Sequence, residues 1–173
     1  MSKKILIPIL VLFVLTVASI AGYTVYQYPF RIGYAPEQPI NFSHKIHAGD
    51  NNIPCQFCHL YARRSIVAGI PSVQTCYNCH KLVTGTKNPE EVKKVLGYWD
   101  RKQPIPWIKV FDLPDFVHFS HKRHVAKGKT CQECHGPIET MDRVERITFF
   151  NMGWCVNCHR KNGADDDCWV CHK

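Results

Sequence analysis

Apolar residues are unevenly spread along the chain. No charged residue occurs from Ile5 to Phe30, and Ile5 to Ala21 is almost wholly apolar. A membrane-spanning helix needs about 20 such residues, so this stretch predicts one, and residues 1–30 are read as an anchor. Pro8 falls in its first turns, where proline is tolerated. Tyr23, Tyr26 and Tyr28 follow, as in the aromatic belt at a membrane interface. Lys3 and Lys4 precede the run, which places the N-terminus inside and Arg31 onward outside. A cleaved signal peptide is the competing reading, with Ser19 and Ala21 as its small residues. The apolar run is longer than the usual signal core, which favours a retained anchor.

Beyond residue 30 the pattern changes. Long apolar runs are few, and the chain carries 11 Pro and 10 Gly in all. The expected fold is mostly irregular with short α-helices, and something other than side chains must fill its middle. One helix is well marked. Asn88 is placed to cap it, Pro89 suits its first position, Glu90 and Glu91 suit its first turn, and it should run to about Asp100. Gln103 to Ile108, with two prolines, reads as an extended connector.

The cysteines supply the missing filling. All ten fall in C-x-x-C pairs: Cys55 with Cys58, Cys76 with Cys79, Cys131 with Cys134, Cys155 with Cys158, and Cys168 with Cys171. Each pair is followed at once by a histidine, namely His59, His80, His135, His159 and His172. C-x-x-C-H is the attachment motif for c-type haem. Two thiols at this spacing add to the two vinyl groups on one porphyrin edge, and the adjacent histidine reaches the iron. Zinc sites use two such pairs per metal and do not need a histidine after each one. A thioredoxin-like motif needs a βαβ context that is not visible, and disulfides leave the histidines unexplained. Five covalent haems are therefore expected, forming the core of a multihaem cytochrome c behind one transmembrane helix. They also change the meaning of the net charge of +8. The basic residues are scattered rather than blocked, so they suit haem propionates and a solvated surface better than nucleic acid.

The polar region contains a repeat. F-S-H-x-x-H at Phe42 to His47 precedes the Cys55 motif, and the same pattern at Phe119 to His124 precedes the Cys131 motif. Each is followed by a second motif, at Cys76 and Cys155. Residues 31–87 and 118–160 thus read as two dihaem modules, 88–117 as a linker with a short helix, and 161–173 as a fifth haem motif. The five histidines left over are His44, His47, His118, His121 and His124, enough to give every iron a second imidazole. Histidines three apart on a helical turn splay, so each H-x-x-H can serve two irons. His118 breaks the repeat. Met152 and Met141 are its rivals for the fifth iron, although packing is the default role for either. Trp107, Trp154 and Trp169 are expected to pack on haem, and Asp165 to Asp167 to form a solvated turn. The fifth motif is the last along the sequence, and its haem is expected at one end of the row.

These stretches resemble a known family. Pro39 to His47, Ala68 to Val73 with Cys76 to His80, Leu113 to Val117, Cys134 to Ile138, Met152 to Arg160 and the Cys168 motif are similar to the membrane-anchored pentahaem subunit of alternative complex III, within the cytochrome c3/c7-like class. The likeness covers most of residues 23–173. A quinone reductase complex of sulfate reducers carries a similar subunit. The resemblance implies a prokaryotic cytoplasmic-membrane protein with its haem domain on the periplasmic side. It would relay electrons from quinol oxidation and would not be catalytic alone. Iron–sulfur and polytopic membrane subunits are the implied partners, with a cytochrome c or an oxidase as acceptor. It further implies that His44 serves the Cys55 haem and His121 the Cys131 haem, while His47 and His124 reach neighbouring haems. The chain departs from the family at His118, where an aromatic residue is expected. Two other functions compete. One is a stand-alone anchored quinol dehydrogenase feeding periplasmic reductases, which the H-x-x-H repeat disfavours. The other is a haem enzyme such as a nitrite reductase, which needs an open iron position that the histidine supply argues against.

Overall fold

The computed structural model describes residues 3–27 and 31–172. Helix α1 spans Lys3–Gln27. Its segment Ile5–Gln27 has a mean hydropathy of 2.7 and is not buried against the rest of the chain. At about 1.5 Å per residue it exceeds the roughly 30 Å of a bilayer core, so its length and composition suit a single membrane span. A signal sequence passes the same test. Two of the hydroxyls that interrupt its apolar surface are satisfied internally, Thr16 donating to the Leu12 carbonyl at 2.8 Å and Thr24 to that of Ala21 at 2.8 Å. Tyr28 lies outside the described residues.

Residues 31–172 contain turns and short helices and, among the described residues, no strand. The helices are α2 (Cys55–Cys58), α3 (Val73–His80), α4 (Pro89–Asp100), α5 (His121–Ala126), α6 (Cys131–His135), α7 (Met152–Lys161) and α8 (Cys168–Cys171). A π-helical turn covers Lys45–Asp50, and tight 3-10 turns cover Leu60–Arg63 and Ile138–Thr140. The expected helix after Asn88 is α4, with Glu90 and Glu91 in its first turn. Asn88 occupies the cap position but makes no side-chain cap bond. Glu91 is used elsewhere, accepting from the Asn41 amide at 2.8 Å and from Lys94 at 2.7 Å.

The polypeptide core is small. Among the described residues, the buried apolar ones are Tyr34, Ile40, Ala62, Val95 and Ile105. Ile40, Val95 and Ile105 meet beneath Val73, Cys76, Tyr98 and Trp107. Tyr77 of α3 stacks on Trp99 of α4 at 4.2 Å, which ties the linker helix to the second cysteine motif. Trp107 thus packs on protein.

The two repeats clasp each other. In one direction, the Lys45 amide donates to the Met141 carbonyl at 3.0 Å, and the buried Ser43 hydroxyl donates to Asp142 at 2.7 Å. Gly49 lies against the Glu139 carbonyl so closely that a Cβ would collide with it. In the other direction, the amides of His121 and Lys122 donate to the carbonyls of Ile66 and Ser65 at 3.0 and 3.1 Å. In both cases the turn that follows a repeat's own C-x-x-C-H motif holds the H-x-x-H segment of the other repeat. Beside this clasp, buried Arg146 donates through Nε and Nη2 to the Val110 carbonyl, and its amide donates to the Tyr34 carbonyl at 3.0 Å.

Candidate haem centre

All five C-x-x-C-H motifs sit on a helical turn. Two are α2 and α8 themselves, one is α6, and two lie at or near the C-terminal ends of α3 and α7. A turn of helix puts residues i and i+3 on one face, so each thiol pair is presented together. Thr130 and Glu133 close a reciprocal capping box at the start of α6. The Asn151 side chain caps α7 by accepting from the Trp154 amide at 2.8 Å.

No disulfide joins the ten cysteines; eight are half-buried, and Cys79 and Cys168 are exposed. Burial pushes the thiols of Cys58, Cys76, Cys131, Cys134 and Cys155 up, and neighbouring thiols push in the same direction. Cys158, expected to bond haem as the second thiol of the fourth motif, carries a contact that its motif does not announce. The Asn162 side-chain amide donates to the Cys158 carbonyl at 2.8 Å and to its Sγ at 3.7 Å. Asn162 follows α7 directly, so this bond closes the C-terminal end of the helix over the thiol. Cys158 is also an electrostatic neighbour of Cys134 in the third motif.

The histidines converge in opposed pairs. The rings of His47 and His80 lie 6.0 Å apart, those of His121 and His135 6.4 Å, and those of His124 and His159 6.0 Å. Two nitrogen–metal bonds of about 2 Å, plus the reach from each nitrogen to its ring centre, call for ring centres about 6 Å apart. His44 is an electrostatic neighbour of His59. Burial, then His59 and His47, hold His44 down to about 4; burial, then His121 and His59, do the same to His135. These rings are therefore neutral at pH 7, as iron binding requires.

Backbone carbonyls orient the rings. The Nδ1–H of His47 donates to Ser43 at 2.8 Å and that of His124 to Ser120 at 2.8 Å. His59 donates to Gly69 at 2.7 Å, His80 to Val83 at 2.8 Å and His121 to Ile66 at 3.0 Å. His159 donates to Asp165 at 2.6 Å and His172 to Phe116 at 3.1 Å. A proton fixed on Nδ1 leaves Nε2 free as a ligand atom, the usual outer-shell arrangement of a metal-binding histidine. His44 differs, its buried Nδ1 having no protein partner.

The repeat is also a repeat of geometry. Phe42 stacks on His47 at 4.3 Å and meets His44 edge-on at 4.9 Å. Phe119 stacks on His124 at 4.4 Å and meets His121 edge-on at 4.8 Å. Phe111 closes over His135 at 4.4 Å. Sequence reasoning did not give these phenylalanines a role, although their place in both F-S-H-x-x-H copies was a usable signal. The carbonyl partners leave no trace in residue type.

Residues 26–106 match the class III cytochrome c family, and residues 117–173 match cytochrome c7 and related cytochrome c. The chain is also 30% identical, over 92% of its length and 87% of the relative's, to the menaquinone reductase multihaem cytochrome c subunit of Nitratidesulfovibrio vulgaris. The chain belongs to the multihaem cytochrome c family. In this multihaem cytochrome c the donor set fits covalently bound haem, with paired thiols on single turns and imidazoles in opposed pairs, most with Nδ1 committed to a backbone carbonyl. So does the exposed apolar surface around the motifs, including Phe57, Leu60, Ile66, Val67 and Ile70, which bound haem would cover.

The remaining candidates fall outside these pairs. The His118 amide donates to the Cys171 carbonyl at 2.8 Å, so its backbone runs beside that of His172. Met152 opens α7 and is 67% exposed, whereas Met141 lends its carbonyl to the clasp. Trp154 packs edge-on to Phe150, and Trp169 is exposed. Asp165 to Asp167 lie in the irregular segment before α8, where Asp166 pairs with Arg160 at 2.6 Å and the Asp167 amide donates to the Asp165 carboxylate at 3.1 Å.

Proposed function

We propose that this multihaem cytochrome c is a five-haem electron relay, anchored in the cytoplasmic membrane by α1 with its haem domain on the periplasmic side, in a complex that oxidises quinol. The observation that carries the reading is the set of opposed imidazole pairs. Histidines on both sides of an iron leave no open position for substrate, and this favours electron transfer over catalysis. Bound haem supplies reversible one-electron exchange at iron; the chain's residues tether it, close its axial positions and set its surroundings. The relative's name, menaquinone reductase subunit, supports a quinone-linked role, and the likeness to the pentahaem subunit of alternative complex III supports delivery from quinol to a cytochrome c or an oxidase. Iron–sulfur and polytopic membrane subunits are the partners that the likeness to alternative complex III implies.

In this reading the ten cysteines, from Cys55 to Cys171 and Cys158 among them, are the thioether positions, and His59, His80, His135, His159 and His172 are the proximal ligands. His44, His47, His121 and His124 are the distal ligands of the first four irons, opposite His59, His80, His135 and His159 in that order. For the fifth iron, a distal ligand must approach from the face opposite His172. His118, whose amide is bonded to the Cys171 carbonyl beside His172, is the histidine left for that position, with Met152 and Met141 as its rivals.

The deciding experiment is purification of the native protein from membranes in detergent, with intact mass and identification of what travels with it. Five haem additions, no free thiol, a retained N-terminus and co-purifying iron–sulfur and polytopic subunits with quinol oxidation are expected. A lone chain that reduces periplasmic reductases directly would instead mark a stand-alone quinol dehydrogenase.

A further inference from the structure

We propose that the five attachment sites form a single row in the order second, first, third, fourth, fifth, so that the Cys76/Cys79 and Cys168/Cys171 motifs are its two ends. The proposal rests on the relay reading above and concerns which neighbours each site has.

Four joints define the row. The first is the His44–His47 turn, whose two rings address His59 and His80 and so bind the first and second sites together. The second is the corresponding turn in the other repeat, where His121 faces His135 and His124 faces His159, which joins the third site to the fourth. Cys134 and Cys158, neighbours across that joint, belong to the same two sites. The third joint is the clasp. Helix α5 is pinned to Ser65 and Ile66, in the loop just beyond the first motif, and Cys55 is an electrostatic neighbour of Cys131. This sets the first site against the third. The fourth joint links the fourth and fifth sites. Cys155 and Cys171 are electrostatic neighbours, and the Cys171 carbonyl is bonded to His118, three residues before α5. At the far side, the second site's thiols have Cys58 of the first site as their neighbour.

Exposure identifies the same two ends independently. Cys79 and Cys168 are the two exposed thiols of the ten, and they belong to the second and fifth motifs. Beside them stand exposed apolar residues, Leu82 at 82% and Trp169 at 78%. The row therefore departs from chain order at one place, where the first two sites exchange. The clasp between the repeats makes this exchange, because it inserts the first motif's turn between the second site and the third. Electrons then cross to and from other proteins at the second and fifth sites, while the first, third and fourth are internal.

The test uses the full-length, haem-loaded protein in detergent, with Leu82→Lys and Trp169→Lys made singly and together. Both positions are exposed, and Val83→Lys replaces the first if it fails to mature. A lysine charge beside a haem raises that haem's potential. Each single variant should shift one component of a spectroscopic redox titration upward, the two components should differ, and the double variant should show the sum of both shifts. A water-soluble gadolinium chelate should broaden the haem-methyl NMR signals of those two components more than the other three. The order is overturned if both lysines move the same component, or if the chelate most strongly broadens a component that neither lysine moves. Intact mass separates the two levels. Fewer than five haems on the wild-type protein removes the relay reading beneath the proposal, whereas five haems with the wrong pattern removes the order alone.

Discussion

Ser43 shows how much one small side chain does. It is buried, its hydroxyl donates to Asp142 and accepts from the Ile46 amide at 3.2 Å, and its carbonyl holds the His47 ring. Ser43→Ala removes the first two bonds and leaves the Asp142 carboxylate without this donor. The expected loss is about 1 kcal/mol of stability, measured by denaturant titration of the holoprotein, with haem content unchanged. His118 supports a different prediction. His118→Ala should convert one haem to high spin by low-temperature EPR and Met152→Ala should not; the reverse outcome would assign the fifth distal ligand to Met152. His47→Ala or His124→Ala should convert one haem to high spin. At this scale the sequence makes the thiols and the H-x-x-H histidines conspicuous, because their chemistry depends on residue type and spacing. It was a poor guide to what orients them, since carbonyls such as those of Gly69, Val83 and Ile66 belong to every residue alike. The Asn162 bond that closes α7 over Cys158 escaped for a related reason, since it depends on where that helix stops.

Among the elements, α4 was legible and the clasp was not. The signals for α4 are local: a proline at its first position, acids in its first turn and a regular run to Asp100. Even there, Asn88 was expected to cap and Glu91 turned out to carry a tertiary bond, because a carboxylate facing Asn41 gains a backbone donor that local pattern cannot show. Lys94 first, then the Asn41 amide, hold the Glu91 carboxyl below its ordinary value of 4.5. A depressed carboxyl stabilises the fold above its unfolded pKa, and that contribution is lost as the pH falls through the folded value. Glu91→Gln should therefore cost about 1 kcal/mol at pH 7, and paired denaturant titrations should show the gap from wild type closing below about pH 4. The clasp depends on residues between 55 and 99 positions apart meeting, which periodicity cannot report. Its tightest point is Gly49 against the Glu139 carbonyl, a backbone group that cannot swing aside. Gly49→Ala should destabilise the protein by about 1–3 kcal/mol. Because that turn carries His47, the second haem should be the first to lose its distal ligand on heating, followed by absorption in the charge-transfer region.

At the scale of the whole molecule, the balance between polypeptide and cofactor decides the fold. Between residues 31 and 172 the chain buries Tyr34, Ile40, Ala62, Val95 and Ile105 as its apolar interior, and large apolar residues such as Phe57, Ile66, Leu82 and Phe116 stay exposed. A hydrophobic core on this scale falls well short of offsetting the conformational entropy of about 140 ordered residues, at roughly 1–2 kcal/mol each for the backbone alone. Short helices do not close the gap, because isolated helices under about 12–15 residues are marginal in water. Hydrogen bonds of the clasp contribute locally but only about 1 kcal/mol each. The missing stabilisation has to come from covalently bound haem, rigid apolar macrocycles fixed by thioether bonds, which also explains why so many apolar side chains face outward when only the polypeptide is counted. The chain made without haem attachment should accordingly be unfolded rather than merely loosened. Expressed where no haem is attached, with α1 removed so that the membrane is not the cause, residues 31–173 should give a disordered circular dichroism spectrum and poorly dispersed amide NMR signals. Adding free haem should not restore the fold, because the thioether bonds require the maturation machinery. A cooperative thermal transition in the unmatured chain would show that the small cluster around Ile40 suffices and that haem is a passenger in a self-sufficient fold.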